Sequence, residues 1–203
     1  MLKAQTAHFS FYARPDGKVD AERSERYLAQ VQALLEQPFS GRAEYYRYGT
    51  AQEVAASTGT YAAGVTFTRA RQIHSTEEFH AHEIVHLVAG QLGDPGAFCQ
   101  EGLAVAVGNE GRWRGKRVDE VVRQRARGLS VSWVVAHFET MEADVAYPLA
   151  GSFVATLIHA HGAAKVAEFF RACGPSGTDR AAAFERTFGQ TLDEAGAAWI
   201  ASL

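Results

Sequence analysis

The sequence predicts an α+β fold, because strand-like segments occur only in its first 75 residues and nearly everything after them has a helical pattern. Its 203 residues suffice for one compact domain with a sizeable core but are few for two. Hydrophobic residues make up 47% of the chain and charged residues 21%, as in an ordinary globular protein. We therefore expect one domain, residues 1–203, with a small strand-bearing N-terminal lobe (about 1–91) and a helical C-terminal lobe (about 92–203).

The N-terminal lobe should alternate strands and helices. Residues 7–14 alternate loosely and end at the turn Pro15-Asp16-Gly17, which indicates a strand. Apolar residues at helical spacing between Asp20 and Gln37 predict a helix that Pro38 ends. The remaining expected elements are a strand at 42–48, a short helix at 52–57 and a strand at 61–73.

A helix should follow the third strand and lead into the helical lobe. Ser75 or Thr76 offers an N-cap, and Glu77 and Glu78 favour the positive end of the helix dipole. This helix should run to about Gln91, where Gly93 and Pro95 stop it. Further helices are expected at about 98–108, 116–127, 131–141, 148–161, 163–173, 179–187 and 191–202.

The first of these helices carries the sequence His82-Glu83-Ile84-Val85-His86, an H-E-x-x-H motif. Residues four apart on a helix lie within about 40° of each other, so both imidazoles can reach one metal ion. Glu83 lies beside them, where it can hold and deprotonate a water. The alternative is two ordinary helix histidines beside a solvated glutamate.

A catalytic zinc takes three protein ligands and keeps one position open, so a third ligand should come from a later element. Glu101 opens the strongly apolar segment Glu101-Gly102-Leu103-Ala104 fifteen residues further on. A carboxylate there would be costly to bury unpaired, and a metal ion would offset that cost. The alternative is a first-turn glutamate that stays in solvent.

The two segments H-E-I-V-H and E-G-L-A together resemble the gluzincin zinc metallopeptidases, the group of thermolysin and aminopeptidase N. The resemblance covers about residues 60–200. It implies a zincin-like fold in which the two lobes flank an active-site helix. It also implies one Zn²⁺ ion held by His82, His86 and Glu101, with Glu83 as the general base.

A third segment, Ala146-Tyr147-Pro148-Leu149-Ala150-Gly151-Ser152, is similar to the tyrosine-bearing segment of aminopeptidase-like gluzincins. There a tyrosine just before a helix that opens with small residues stabilises the oxyanion, which implies that role for Tyr147. The alternative is an ordinary cap or core aromatic.

The chain also departs from the family's pattern: its His86 to Glu101 gap is shorter than in the large aminopeptidases, and two motif positions differ. No G-x-M-E-N segment precedes the active helix, so an endopeptidase is expected rather than an aminopeptidase. Val105 stands where thermolysin-like enzymes place an aspartate that supports a histidine, which leaves Asn109 and Glu110 as weak candidates for that support.

Charge and hydropathy narrow the classes of partner. The net charge of -3 argues against a protein built around nucleic acid, and no apolar run approaches the length of a membrane span. The N-terminal segment has no apolar core or cleavage site, so no export leader is expected as written, which favours the cytoplasm unless a leader was removed. A basic stretch is interpreted as a solvated helix face; its cations are Arg112, Arg114, Lys116, Arg117, Arg123, Arg125 and Arg127.

The two cysteines, Cys99 and Cys173, form no C-x-x-C pair. A disulfide framework and an all-cysteine zinc site are therefore excluded, and two buried thiols are expected. One bridge between them stays open as an alternative if the protein is exported.

The sequence thus predicts a zinc peptidase that acts on a peptide or protein substrate. The main alternative is a non-catalytic gluzincin-like domain that binds a peptide or protein partner. A third alternative is nucleic-acid binding through residues 112–127.

Overall fold

The computed structural model of the chain describes residues 1–126, 128–174 and 179–203. It divides into two compact units, Met1–Gln91 and Leu92–Leu203. The first unit contains a mixed five-stranded sheet and three helices, whereas the described part of the second is mostly helical, with one two-stranded hairpin. The predicted α+β class is confirmed.

The sheet of the first unit consists of β1 (Leu2–Gln5), β2 (Phe9–Tyr12), β3 (Ala43–Arg47), β4 (Gly64–Phe67) and β5 (Gln72–Ser75). Its strand order is β1-β2-β3-β5-β4. The three central strands run parallel to one another, and the two edge strands, β1 and β4, pair antiparallel with their neighbours. Strand β4 pairs only with β5 in this order and therefore lies at an edge of the sheet.

Three helices accompany this sheet: α1 (Ala21–Leu35), α2 (Ala51–Thr58) and α3 (Ala81–Ala89). Because side chains alternate along a strand, Phe11, Tyr45 and Ile73 share one face of the sheet in register, and all three are fully buried. The other face carries Tyr12, Tyr46 and His74, whose rings stack across the three central strands. The first unit thus has its own core.

Two expectations for this unit are wrong, and one strand was missed. The strand predicted at 61–73 is a hairpin, β4 and β5, joined by a turn in which Arg71 has a positive φ of 54°. Strand β1 was not predicted, since a four-residue segment with little periodicity forms only by pairing with β2. Helix α3 begins at Ala81 rather than near residue 76, because Ser75 belongs to β5 and its hydroxyl accepts the Glu77 N–H.

The described part of the second unit contains seven α-helices: α4 (Ala97–Leu103), α5 (Val118–Arg125), α6 (Val131–His137), α7 (Ala143–His161), α8 (Ala163–Cys173), α9 (Arg180–Phe188) and α10 (Leu192–Ala201). A π-helical turn follows α4 (Ala104–Gly108), and a 3-10 turn follows α6 (Phe138–Thr140). A two-stranded hairpin, β6 (Arg112–Trp113) and β7 (Lys116–Arg117), precedes α5. Helices α7, α8 and α9 contribute aromatic residues to the hydrophobic core of this unit: Phe153, Phe169 and Phe184 are all buried.

The predicted helices of this unit need three corrections. The helix expected at 98–108 changes from α to π geometry after Leu103. The helix expected at 116–127 begins only at Val118, and its predicted end at Arg127 lies outside the described residues. The helix expected from Pro148 begins at Ala143, so the proline lies inside α7 and offers no N–H to the Asp144 carbonyl.

Helices α4 and α7 cross at close range because two glycines lie at the crossing. A Cβ atom at Gly102 would come 2.7 Å from the Ala150 carbonyl oxygen, and one at Gly151 would come 2.3 Å from Val105 Cγ1. Any side chain at either position would force the helices apart. Gly102, next to Glu101, and Gly151, four residues after Tyr147, therefore set how closely α7 packs against α4 and the π-helical turn that follows it.

The expected burial of both cysteines is confirmed: Cys99 is 2% exposed and Cys173 is 4% exposed. No helix in the described part of the chain has the length and apolar character of a membrane span.

Candidate metal centre

Helix α3 brings His82 and His86 together on one side, as their spacing requires. Their Nε2 atoms lie 3.1 Å apart, and the ring planes meet at 77°. His82 is 7% exposed and His86 is half-buried. Five apolar residues of the same helix, Ile84, Val85, Leu87, Val88 and Ala89, are buried, which anchors both imidazoles on a rigid element.

A separation of 3.1 Å between two imidazole nitrogens has two chemical interpretations. Neutral rings of opposite tautomer can share one proton in an N–H···N hydrogen bond. Alternatively, both nitrogens can be ligands of one ion, because nitrogens about 2.0–2.1 Å from a tetrahedral centre lie roughly 3.3 Å apart. The geometry of α3 is therefore compatible with metal binding without rearrangement of either ring.

Glu83 lies between the two histidines in sequence and is 5% exposed. Its Oε2 atom is 2.8 Å from the Thr66 hydroxyl, which donates to it, and the same hydroxyl is 3.1 Å from the Glu83 carbonyl oxygen. A buried carboxylate needs such donors, because removal from water penalises its charged form. Strand β4 thus supplies a direct contact to the predicted general base.

Two further residues of the first unit surround Glu83. A Cβ atom at Gly64 would lie 2.7 Å from Glu83 Oε1 and 2.5 Å from His80 Nδ1, so only glycine leaves room for both side chains. His80 Nδ1 also lies 2.8 Å from the buried Ser75 hydroxyl. Desolvation by burial lowers the pKa of His80, although the charge of Glu83 acts in the opposite direction.

Glu101 occupies α4 and is half-buried. His82, His86 and Glu101 each offer one ligand atom, and these three atoms lie within 4.8 Å of one another. Two imidazoles and a carboxylate form a donor set that suits a divalent transition metal. The three side chains could therefore hold a metal ion.

Tyr147 lies inside α7 rather than just before a helix, so its predicted local setting is wrong. Its ring stacks on Trp113 with centroids 4.3 Å apart and packs against Phe138 at 5.6 Å. Trp113 is held in turn by Asp144, whose Oδ1 accepts its indole N–H at 3.0 Å. Hairpin β6–β7 therefore fixes the Tyr147 ring on one side, a contact that the sequence did not reveal.

The basic stretch is not one helix face, because Arg112, Lys116 and Arg117 belong to the β6–β7 hairpin. Arg114 at its tip pairs with Asp144 at 2.8 Å. On α5, Arg123 donates to the Leu203 carbonyl at 2.9 Å. Arg114 and Arg123 thus form an ion pair and a hydrogen bond within the protein.

A cavity of about 530 Å³ opens elsewhere on the first unit. Its lining includes Tyr12 and Tyr46 from the aromatic face of the sheet, together with Arg14 and Glu53, which form an ion pair. Neither His82, Glu83 nor His86 lines it.

The chain matches no protein-family model, and no curated protein matches its sequence. The resemblance to gluzincins consequently depends on the residues of the three segments themselves.

Proposed function

We propose that the protein is a zinc-dependent peptidase of gluzincin type with a zincin-like fold, and that it acts on peptides as an endopeptidase. The observation that carries the proposal is the pair of α3 imidazole nitrogens, 3.1 Å apart, with the buried carboxylate of Glu83 on the intervening turn. This combination is what metal-assisted hydrolysis requires: ligands on one rigid helix and a base beside them.

Zinc is the ion that we propose, with His82, His86 and Glu101 as its ligands. Two neutral imidazoles and one carboxylate leave the site with net positive charge and match the ligand set of catalytic zinc peptidases. The proximity of the three ligand atoms, all within 4.8 Å, supports this assignment. When bound, zinc would polarise the scissile carbonyl and acidify the attacking water.

The protein's own groups would then move the protons. Glu83 would take a proton from the attacking water and pass it to the leaving amine. Tyr147 would donate a hydrogen bond to the carbonyl oxygen as negative charge develops on it. The stacking of Tyr147 on Trp113 restricts its ring, so that the hydroxyl would need little reorganisation during the reaction.

An extended peptide would bind along β4. This strand lies at the sheet edge and pairs with β5 on one side, which makes strand addition on its other side the natural mode of peptide recognition. Backbone pairing of this kind does not require a chain terminus. The absence from the sequence of a G-x-M-E-N segment before α3 further favours endopeptidase over aminopeptidase activity.

The test compares Glu83→Gln with Glu78→Gln, an exposed glutamate before α3. Cleavage of a library of quenched fluorescent peptides and the zinc content are measured for both variants. Glu83→Gln should retain zinc and lose at least a hundredfold in rate, since it removes the base, whereas Glu78→Gln should behave as wild type. Unchanged turnover in Glu83→Gln would contradict the mechanism. Zinc binding with no cleavage by the wild-type protein would favour the non-catalytic, partner-binding alternative.

A further inference from the structure

We propose that Thr66 is the positioning residue of the general base, holding one oxygen of Glu83 while strand β4 also binds the substrate. This inference rests on the proposed peptidase function and deepens it. It assigns β4 a second task besides peptide binding.

The contact between Thr66 and Glu83 is short and specific. Thr66 Oγ1 lies 2.8 Å from Glu83 Oε2 and 3.1 Å from the Glu83 carbonyl oxygen. The hydroxyl has one proton, and the nearer, charged oxygen is the stronger acceptor. This hydrogen bond fixes the last torsion of a side chain that otherwise rotates about three bonds.

The remaining space around the carboxylate is shaped by the same strand. Gly64 lies two residues before Thr66, so both positions face the same side of the sheet. A side chain at position 64 would overlap Glu83 Oε1 at 2.7 Å and the His80 ring at 2.4 Å. His80 is itself held by the Ser75 hydroxyl at 2.8 Å. Glu83 thus lies against β4 with a donor at one oxygen and close packing at the other.

One rigid element would therefore position both reactants. The free edge of β4 would align the peptide backbone, and the side chain of Thr66 on the same strand would align the carboxylate that takes the proton. Because the same strand would hold both the Glu83 carboxylate and the substrate backbone, the distance between them would vary little when the strand moves. Loss of the Thr66 hydroxyl should consequently slow the chemical step and leave peptide binding intact.

The experiment uses the zinc-loaded protein with all 203 residues and the library peptide that the wild-type protein cleaves fastest. Thr66→Val keeps the branched shape and removes the hydroxyl, whereas Thr66→Ser keeps the hydroxyl and removes a methyl group. Thr58→Val is the matched control, because the Thr58 hydroxyl bonds only local backbone groups at the end of α2: it donates to the Val54 and Thr60 carbonyls and accepts the Thr60 N–H. For each variant kcat, KM and zinc content are measured.

We expect Thr66→Val to retain zinc, to keep KM within about twofold and to lose roughly tenfold to a hundredfold in kcat. Thr66→Ser should return kcat to within about threefold of wild type, and Thr58→Val should match wild type. If Thr66→Val fails to fold, Thr66→Ala compared with Thr66→Ser provides the same comparison.

Wild-type kcat in Thr66→Val, or a Thr66→Ser variant as slow as Thr66→Val, would overturn the inference alone. A loss confined to zinc content or KM would also overturn it, because Thr66 would then be structural. Unchanged turnover in Glu83→Gln, by contrast, would remove the proposed mechanism and this inference with it.

Discussion

Replacing Gly151 by alanine should destabilise the second unit, because the new methyl group has no space at the crossing of α4 and α7. Its Cβ would lie 2.3 Å from Val105 Cγ1 and 2.9 Å from Val105 Cβ, whereas carbon atoms pack at about 3.5–4.0 Å. Val105 is fully buried and cannot turn into solvent. An overlap of more than 1 Å with a buried side chain belongs in the upper part of the usual range for overpacking, at about 2–3 kcal/mol, and the better helix propensity of alanine returns about 1 kcal/mol. The net loss should be about 1–2 kcal/mol.

The assay is urea and thermal unfolding followed by circular dichroism, with the Tm expected to fall by roughly 2–8 °C. Val105→Ala is the companion variant, because it removes Cγ1, the nearer of the two atoms that the new methyl group would overlap. In the double variant the alanine at 151 should partly fill the space left at 105, so the two costs should fall short of additivity by about 1 kcal/mol. A Gly151→Ala variant more stable than wild type, or strictly additive costs, would refute the close-crossing argument.

Two further predictions concern single side chains. Tyr147→Phe should lower kcat about tenfold or more with little change in KM, since the tyrosine hydroxyl would act on charge that develops only in the transition state. Kinetics identical to wild type would show that Tyr147 is only a structural aromatic residue stacked on Trp113. Burial raises the pKa of Cys99 to about 12 and that of Cys173 to about 11, so neither thiol should react with iodoacetamide at pH 8 until the protein is unfolded. Rapid alkylation of the folded protein would contradict the buried placement.

The elements with a strong periodic pattern were predictable from the sequence. Helix α1 follows from apolar residues at helical spacing, and Asp20 is its N-cap, accepting the Arg23 N–H. The geometry of His82 and His86 follows from the pitch of a helix, because a spacing of four residues determines which side chains share a face. Helix periodicity and capping preferences therefore suffice to predict features that lie within a single helix.

Features that depend on tertiary contacts were not predictable. The turn between β4 and β5, residues 68–71, contains no glycine, asparagine or proline, so the sequence gives no sign that the strand reverses there. Thr66 and Gly64 could not be linked to Glu83, because the sequence does not say which face of the hairpin meets α3. The resemblance implied that Tyr147 stands just before a helix beginning near Pro148, but α7 begins at Ala143, five residues before that proline.

The central claim is that His82, His86 and Glu101 bind one zinc ion, and zinc content per chain tests it most directly. The measurement compares wild type with Glu101→Ala in protein purified without added metal, and Glu120→Ala on the exposed face of α5 is the control. The account predicts about one zinc ion per chain in wild type and in Glu120→Ala, and a large loss in Glu101→Ala. An absence of zinc from the wild-type protein even after reconstitution, or a full equivalent in Glu101→Ala, would contradict it.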